Sequence, residues 1–443
     1  MGNLDRLSLR LRKRRQIMST PFSSNRLHDD VENFSLVLGG PLFQLLHRIH
    51  LSDDALHLAK RRIILITLLT WLPLLVFTII DGSAWSEGLV VPFLYDWEVH
   101  IRFLVAMPLL VAAELLVHQR IRAVVQQFLE RHLIPADGGE RFDAAIHSAF
   151  RLRNSLIAEV AIVAVVYLIG VTVVWRHFLS LETATWYATP GVEGSELTLP
   201  GVWFAYVALP LFQFLLLRWY FRIFIWARFL FQIARMPLKL SAAHPDRAGG
   251  LGFLGGAAFA FTPLAAAHGA MLAGQLSSRI FYGGAALIDF KVEIALMVAL
   301  MLVIVLGPIL FFAPALAAHK RTARLEYGAL AQRYVTEFEQ KWLRGGAPAD
   351  EPLLGSGDVQ SLADLNGSLS VVHSMRVTPF GRDTLIQVVA VTLAPVVPLG
   401  LTMMPLEELF KTLARILLEA VQHFSRLRAA RRPSAMRARI PQA

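Results

Sequence analysis

Apolar residues fall into seven long runs along this chain, each followed by a polar or basic segment: 63–80, 100–118, 156–178, 201–217, 251–276, 292–318 and 385–405. About 20 apolar residues in helical form cross the roughly 30 Å of hydrocarbon in a bilayer. The pattern therefore predicts an all-α, polytopic transmembrane helix bundle of six or seven spans. The runs ending at 118, 217 and 318 lead into basic helical continuations, so the even-numbered helices are expected to extend into the cytosol. The fifth run is rich in Gly and Ala and is interrupted by Pro263. The seventh contains Pro395, Pro398 and Pro405. It is expected either to cross or to form a re-entrant hairpin, and its length favours crossing.

Around this core the pattern predicts a disordered basic arm over 1–35 and an interfacial amphipathic segment over 36–62. The six-helix core covers 63–318, with a cytosolic helix and loop over 319–384 in which 345–370 reads as polar and turn-rich. The seventh span or re-entrant hairpin occupies 385–405, and an amphipathic basic tail 406–443. Ala106-Met-Pro108, Ala208-Leu-Pro210 and Leu306-Gly-Pro308 suggest a threefold repeat of helical hairpins, a device common in transporters.

Charge orients the bundle. Of 43 lysines and arginines, 39 lie in the N-terminal arm, in 119–155, 218–250 and 319–384, and in the tail. Loops 81–99 and 180–200 carry acidic residues and neither Lys nor Arg up to position 101 and in 180–200 respectively. The positive-inside rule then places the N-terminus in the cytoplasm and returns the chain there after six spans. A seventh crossing conflicts with the eight basic residues of the tail. The net charge of +10 fits loops facing anionic lipid better than a nucleic-acid partner. Only 17% of residues are charged, below the roughly 25% of soluble domains. No cysteine is present, which excludes disulfides, thiol nucleophiles and cysteine-ligated metals. The first 20 residues are too polar for a cleavable signal peptide, and Met18 offers an alternative start.

Several stretches occur together: Trp71-Leu-Pro73, Val91 through Leu104 with Asp96, His100 and Arg102, Pro108 through Glu114, His244 through Leu251, and Met375 through Arg382. In them the chain resembles a family of uncharacterised bacterial polytopic integral membrane proteins, over about residues 36–410. The resemblance implies a membrane protein and carries no activity or catalytic residues with it.

Candidate chemistry is sparse. His244-Pro-Asp246-Arg247-Ala-Gly249-Gly250 opens the fifth helix. Free N–H groups, a glycine pair and Arg247 there suit a phosphate or carboxylate. Against this, Asp246 serves equally as a helix cap. His373, Arg376 and Arg382 with Asp383 are expected on the same side and would complete a basic site if the bundle closes. His268 lies inside the fifth span, where it acts either as a relay with Thr262 and Gln275 or as a neutral hydrogen-bonded histidine. Glu114 and Glu159 share a depth at which two carboxylates hold a proton or cation, unless they pair with Arg120, Arg122, Arg151 or Arg153. Asp96 with His100, and Glu98 with Arg102, are spaced to pair across one helical turn. Gly250-Leu-Gly252-Phe-Leu-Gly255 matches a dinucleotide fingerprint but lacks the strand that motif needs. Gly252 and Gly256 read instead as a small-residue packing face. No metal ligand set and no cofactor are expected.

The expected function is a transporter or channel for a small solute or ion in a bacterial inner membrane. The alternatives are a membrane-bound enzyme or binding protein for an anionic lipid headgroup, and a structural or signalling scaffold. Expected partners are the bilayer and its anionic lipids, with homo-oligomer formation compatible and nucleic acid excluded.

Overall fold

The computed structural model describes residues 30–40, 59–174, 184–191, 194–348 and 350–403. They form an all-α molecule carrying one small hairpin. Four helical rods are long and apolar enough to cross a membrane, and two bent helix pairs raise the number to as many as six if each pair counts as one span.

The first rod is α1, Ala59–Ile80. The second joins α2, Trp97–Ile101, through a π-helical turn at Arg102–Ala106 to α3, Met107–Glu130. A bent pair follows: α4, Gly139–Arg153, and α5, Leu156–Val165, which continues as a π-helix to Val174. The next straight rod joins α6, Leu199–Trp203, through a π turn at Phe204–Ala208 to α7, Leu209–Ala234. The second bent pair is α8, Gly255–Ala260, and α9, Thr262–Phe281, with a 46° bend where Pro263 was expected to interrupt the run. The last long rod runs from α10, Lys291–Leu306, through a 3₁₀ segment at Gly307–Phe312 into α11, Ala313–Trp342. The even-numbered rods are the extended ones, as their basic continuations predict.

The hairpin repeat takes a sharper form. All three boundaries of the α6–α7 rod lie 102 residues after those of the α2–α3 rod: 97 and 199, 102 and 204, 107 and 209. Pro108 and Pro210 sit in the first turn of α3 and α7. Proline lacks an N–H and crowds the carbonyl four residues back, so the preceding turn opens into a π bulge in each. In the third rod the equivalent position is Pro314 at the start of α11, after a 3₁₀ segment. Pro308, expected in that role, lies inside the 3₁₀ segment itself.

The faces turned outward are apolar. Ile64, Leu65, Leu68, Ile157, Leu168, Leu296 and Val303 are all exposed. Contiguous apolar surface on this scale is foreign to a soluble monomer and suits contact with lipid chains.

Three sequence expectations need correction. Residues 31–37 belong to the core: Val31, Phe34, Leu36 and Val37 are buried. Phe34 lies 5.8 Å from the Phe150 ring and 5.0 Å from that of Phe229, which binds this strap to α4 and α7. Residues 1–29 and 41–58, including most of the segment read as interfacial, lie outside the described residues. The stretch read as turn-rich holds a helix, α12, Gly357–Ser374. Ser356 caps it, and Asp358 in its first turn binds Lys341 and the Trp342 indole, locking α12 against α11. The small-residue face expected at Gly252 and Gly256 is not a close helix contact, since a Cβ at Gly256 would meet nothing within 4 Å. The close approach is made by Gly269, where a Cβ would overlap the Thr392 carbonyl.

The seventh run forms α13, Arg382–Leu393, followed by a 3₁₀ segment at Val397–Thr402. Its start lies beside Gly255, where Pro379 and Phe380 approach, and its end packs Val396 and Leu399 against Leu272, Leu276 and Phe290. It therefore follows the fifth helix from first turn to last and does not turn back over its described length. The tail from 404 lies outside the described residues.

At the end remote from the basic loops, β1, Ala188–Gly191, and β2, Gly194–Leu197, pair antiparallel with Ala188 opposite Leu197. Here Glu98 and Arg102 form the expected ion pair. Asp96 and His100 are each taken by a tryptophan instead. Trp186 donates to Asp96 at 2.9 Å, and Trp71 donates to His100 at 2.9 Å.

Candidate functional site

A buried ionic cluster joins α1, α3, α5 and α7. Glu114 projects from α3 and is only 4% exposed. One carboxylate oxygen is bound by Arg62 of α1, and the other by Arg222 of α7 at 2.7 Å, with Arg218 at 3.5 Å. Arg218 also lies 3.5 Å from Glu159 of α5. Arg218 and Arg222 are one turn apart on α7 and so share a face. Arg222 stacks over Trp219, whose indole donates to the Leu110 carbonyl at 2.8 Å and holds α7 against α3. The expected partners of Glu114 were the arginines near it in sequence. The observed ones come from α1 and α7.

The strap closes this cluster on one side. Ser35 accepts from the N–H groups of Val37 and Leu38, and its hydroxyl lies 2.9 Å from His118 Nδ1. Arg153 donates to the Ser35 carbonyl at 2.7 Å, and Asn154 accepts from the Gly40 N–H. Gly39 and Gly40 have φ of 124° and 88°, a region that favours glycine. A Cβ at Gly39 would lie 2.7 Å from the Arg153 guanidinium, and one at Gly40 3.2 Å from a Glu159 oxygen. The glycine pair lets the backbone reach the charged groups. A cavity of about 10 Å³ remains, lined by Arg153, Arg218, Arg222 and Glu159 with Leu36 and Phe221 among its apolar walls.

His268 is a satisfied histidine. Its Nδ1 lies 2.8 Å from the Leu264 carbonyl, which only accepts, so Nδ1 carries the proton. Nε2 then accepts from the Tyr220 hydroxyl at 2.6 Å. The relay expected through Thr262 and Gln275 is not built. Thr262 donates to the Phe259 carbonyl, and Gln275 is exposed.

The loop ahead of the fifth helix resolves in the same direction. The Asp246 carboxylate accepts from the N–H groups of Ala248 and Gly252 at 2.8 Å each and from Gly250 at 3.2 Å. The donors that suited an external anion are thus occupied by the loop's own side chain. Gly249 and Gly250 have positive φ, as does Arg247, whose side chain is exposed. The two basic groups do meet, through Arg376. Its backbone N–H donates to the Arg247 carbonyl at 2.7 Å and its guanidinium to the Asp246 carbonyl at 3.0 Å. His244 pairs with Asp246 at 2.9 Å. His373 is exposed, with its carbonyl held by Arg324, and Arg382 is exposed at the start of α13. The constellation is a folded joint between the fifth and seventh helices.

Burial works against the Asp246 carboxylate, but the N–H groups of Ala248, Gly252 and Gly250, with His244, outweigh it and hold its pKa below the usual value of 3.8. A depressed carboxyl pKa stabilises the fold above the unfolded value, and that stability is lost as pH falls through the folded one. Asp246→Asn sets an amide NH2 against a backbone N–H that a carboxylate oxygen now accepts from, and is expected to lose about 1–2 kcal/mol at neutral pH. The wild-type protein should lose its advantage over the variant only below about pH 4. Denaturation of both proteins across acidic pH checks this.

Sequence reasoning missed Arg62, Arg218 and Arg222 as site residues. Two arginines one turn apart within Leu217-Arg218-Trp-Tyr-Phe-Arg222-Ile-Phe were the available signal. It also missed Asp30, Asp143 and His147, whose donor atoms lie within 4.8 Å of one another. They tie the start of the strap to α4. Comparison with family models, with curated proteins and with solved structures gives no match.

Proposed function

We propose that this chain is a multi-pass protein of a bacterial inner membrane, with its N-terminus and basic loops in the cytoplasm, that works as a transporter or channel for a small solute or ion. The buried cluster of Arg62, Glu114, Arg218, Arg222 and Glu159 carries this reading. Ionisable groups inside apolar helices are costly and mark ion or substrate pathways. The matched breaks in the α2–α3 and α6–α7 rods add support, because repeated broken helices recur in transporters. The segregation of Lys and Arg to one end supports the orientation. The lipid-headgroup alternative loses its main footing, since Asp246 occupies the N–H groups it needed.

Flux into proteoliposomes tests the proposal. The wild-type protein should move at least one small ion or solute above the rate of empty vesicles. Arg222→Lys keeps the charge but loses the planar fork, so it should slow that flux while the protein still elutes as a folded particle. Rates equal to those of empty vesicles for inorganic anions, cations and small neutral solutes would remove the reading.

A further inference from the structure

We infer that the cavity beneath the Val31–Gly40 strap is a binding site for a small, halide-sized anion. The inference names the ion for the cluster proposed above as a transport site, and it rests on that reading for what binding accomplishes.

Charge is the first argument. Among the described residues the cluster brings four guanidinium groups, those of Arg62, Arg153, Arg218 and Arg222, against the two carboxylates of Glu114 and Glu159. Arginine stays protonated in proteins. Among the described residues two positive charges are therefore in excess where Arg218 and Arg222 are both less than a tenth exposed. Unbalanced charge of one sign in a low-dielectric interior is strongly unfavourable. A bound anion relieves it.

Hydrogen bonding is the second. Arg153 spends its guanidinium on neutral acceptors, the Ser35 carbonyl and the Asn154 amide oxygen. The Arg62 Nε–H is buried and meets no acceptor among the described residues. Glu114, at the centre, already receives three arginines. Donors thus exceed acceptors in the cluster, which is the chemistry an anion satisfies.

Size is the third. A cavity of about 10 Å³ holds about one water-sized body. That room suits a single-atom anion and is too small for a tetrahedral oxyanion. The apolar walls of Leu36, Phe221 and Ile225 also favour a weakly hydrated ion. Chloride is the simplest candidate. The strap is the cover, because Gly39 and Gly40 hold its backbone against Arg153 and Glu159.

The test is ³⁵Cl NMR line broadening on the purified full-length protein in nanodiscs, with chloride exchanged for gluconate at constant ionic strength. The wild-type protein should broaden the chloride line saturably. Bromide should compete, with sulfate and phosphate weaker by about tenfold or more. Arg222→Gln should abolish saturable broadening. Since that variant removes a partner of Glu114, Glu159→Gln gives an independent reading. It raises the excess charge and should tighten chloride binding by about threefold or more, whereas a cluster that merely staples helices shows no gain. Broadening that does not saturate, that persists in Arg222→Gln, or that is unchanged in Glu159→Gln overturns the site. Saturable binding in a protein without flux keeps the site and removes the transport reading. Flux of cations or neutral solutes without saturable halide binding does the reverse.

Discussion

Glu114→Ala is expected to destabilise the protein by about 3–5 kcal/mol, the loss typical when one partner of a buried ion pair is removed. The variant leaves Arg62, Arg218 and Arg222 facing one another with Glu159 as the remaining described carboxylate. Like charges at that depth are poorly screened by salt. The effect should spread beyond α3, because the three arginines belong to α1 and α7 and the Arg218–Glu159 contact reaches α5. Denaturant unfolding in mixed micelles, followed by tryptophan fluorescence, measures the loss. Replacing Glu114 and Arg62 together by Leu and Met should recover part of it, since apolar substitutes avoid the desolvation of a lone charge. A loss below about 1 kcal/mol for Glu114→Ala would mean that the cluster behaves as an exposed pair.

Gly269→Ala is the second large effect. Alanine normally improves a helix by about 1 kcal/mol over glycine. At this position its Cβ would overlap the Thr392 backbone carbonyl, and Pro395 lies close behind. Backbone cannot swing aside as a flexible side chain does, so α9 and α13 must separate. The expected net result is a loss of about 1–3 kcal/mol, the range for overpacking. Gly256→Ala and Gly328→Ala are the controls. Each lies in a helix with nothing within 4 Å of its Cβ, so each should gain about 0.5–1 kcal/mol. If all three variants gain alike, the seventh helix is not seated on the fifth as described.

The legible part of this fold was the part decided locally. Apolar runs marked the rods, Pro263 marked the bend in the fifth helix, and the basic continuations marked the length of α3, α7 and α11. The Asp246 loop was within reach of local reasoning because its acceptor and the donors it satisfies lie within six residues, although it binds loop N–H groups and does not cap the helix itself. What escaped was long-range. The strap around Phe34 is polar enough in its surroundings to pass for a free arm, and only the Phe150 and Phe229 rings reveal its place. Glu114 stood out in the sequence, but its partners Arg62 and Arg222 lie 52 and 108 residues away. Arg218 and Arg222 were hidden by the positive-inside count itself, which assigned them to a loop although α7 carries both through the packed interior. The hairpin repeat showed through Pro108 and Pro210. In the third of these rods two prolines, Pro308 and Pro314, flank the position that the spacing of the first two would give, and only the helix boundaries distinguish them.

In the proposed orientation the two ends of the molecule face opposite sides of a bilayer. The chain has no cysteine, so single cysteines can report this without background. Glu87 is exposed in the loop before α2, and Ser361 is exposed on α12 at the basic end. A membrane-impermeant maleimide applied to intact spheroplasts should label Glu87→Cys at once and Ser361→Cys only after permeabilisation. Labelling of both positions in intact spheroplasts would contradict the proposed orientation.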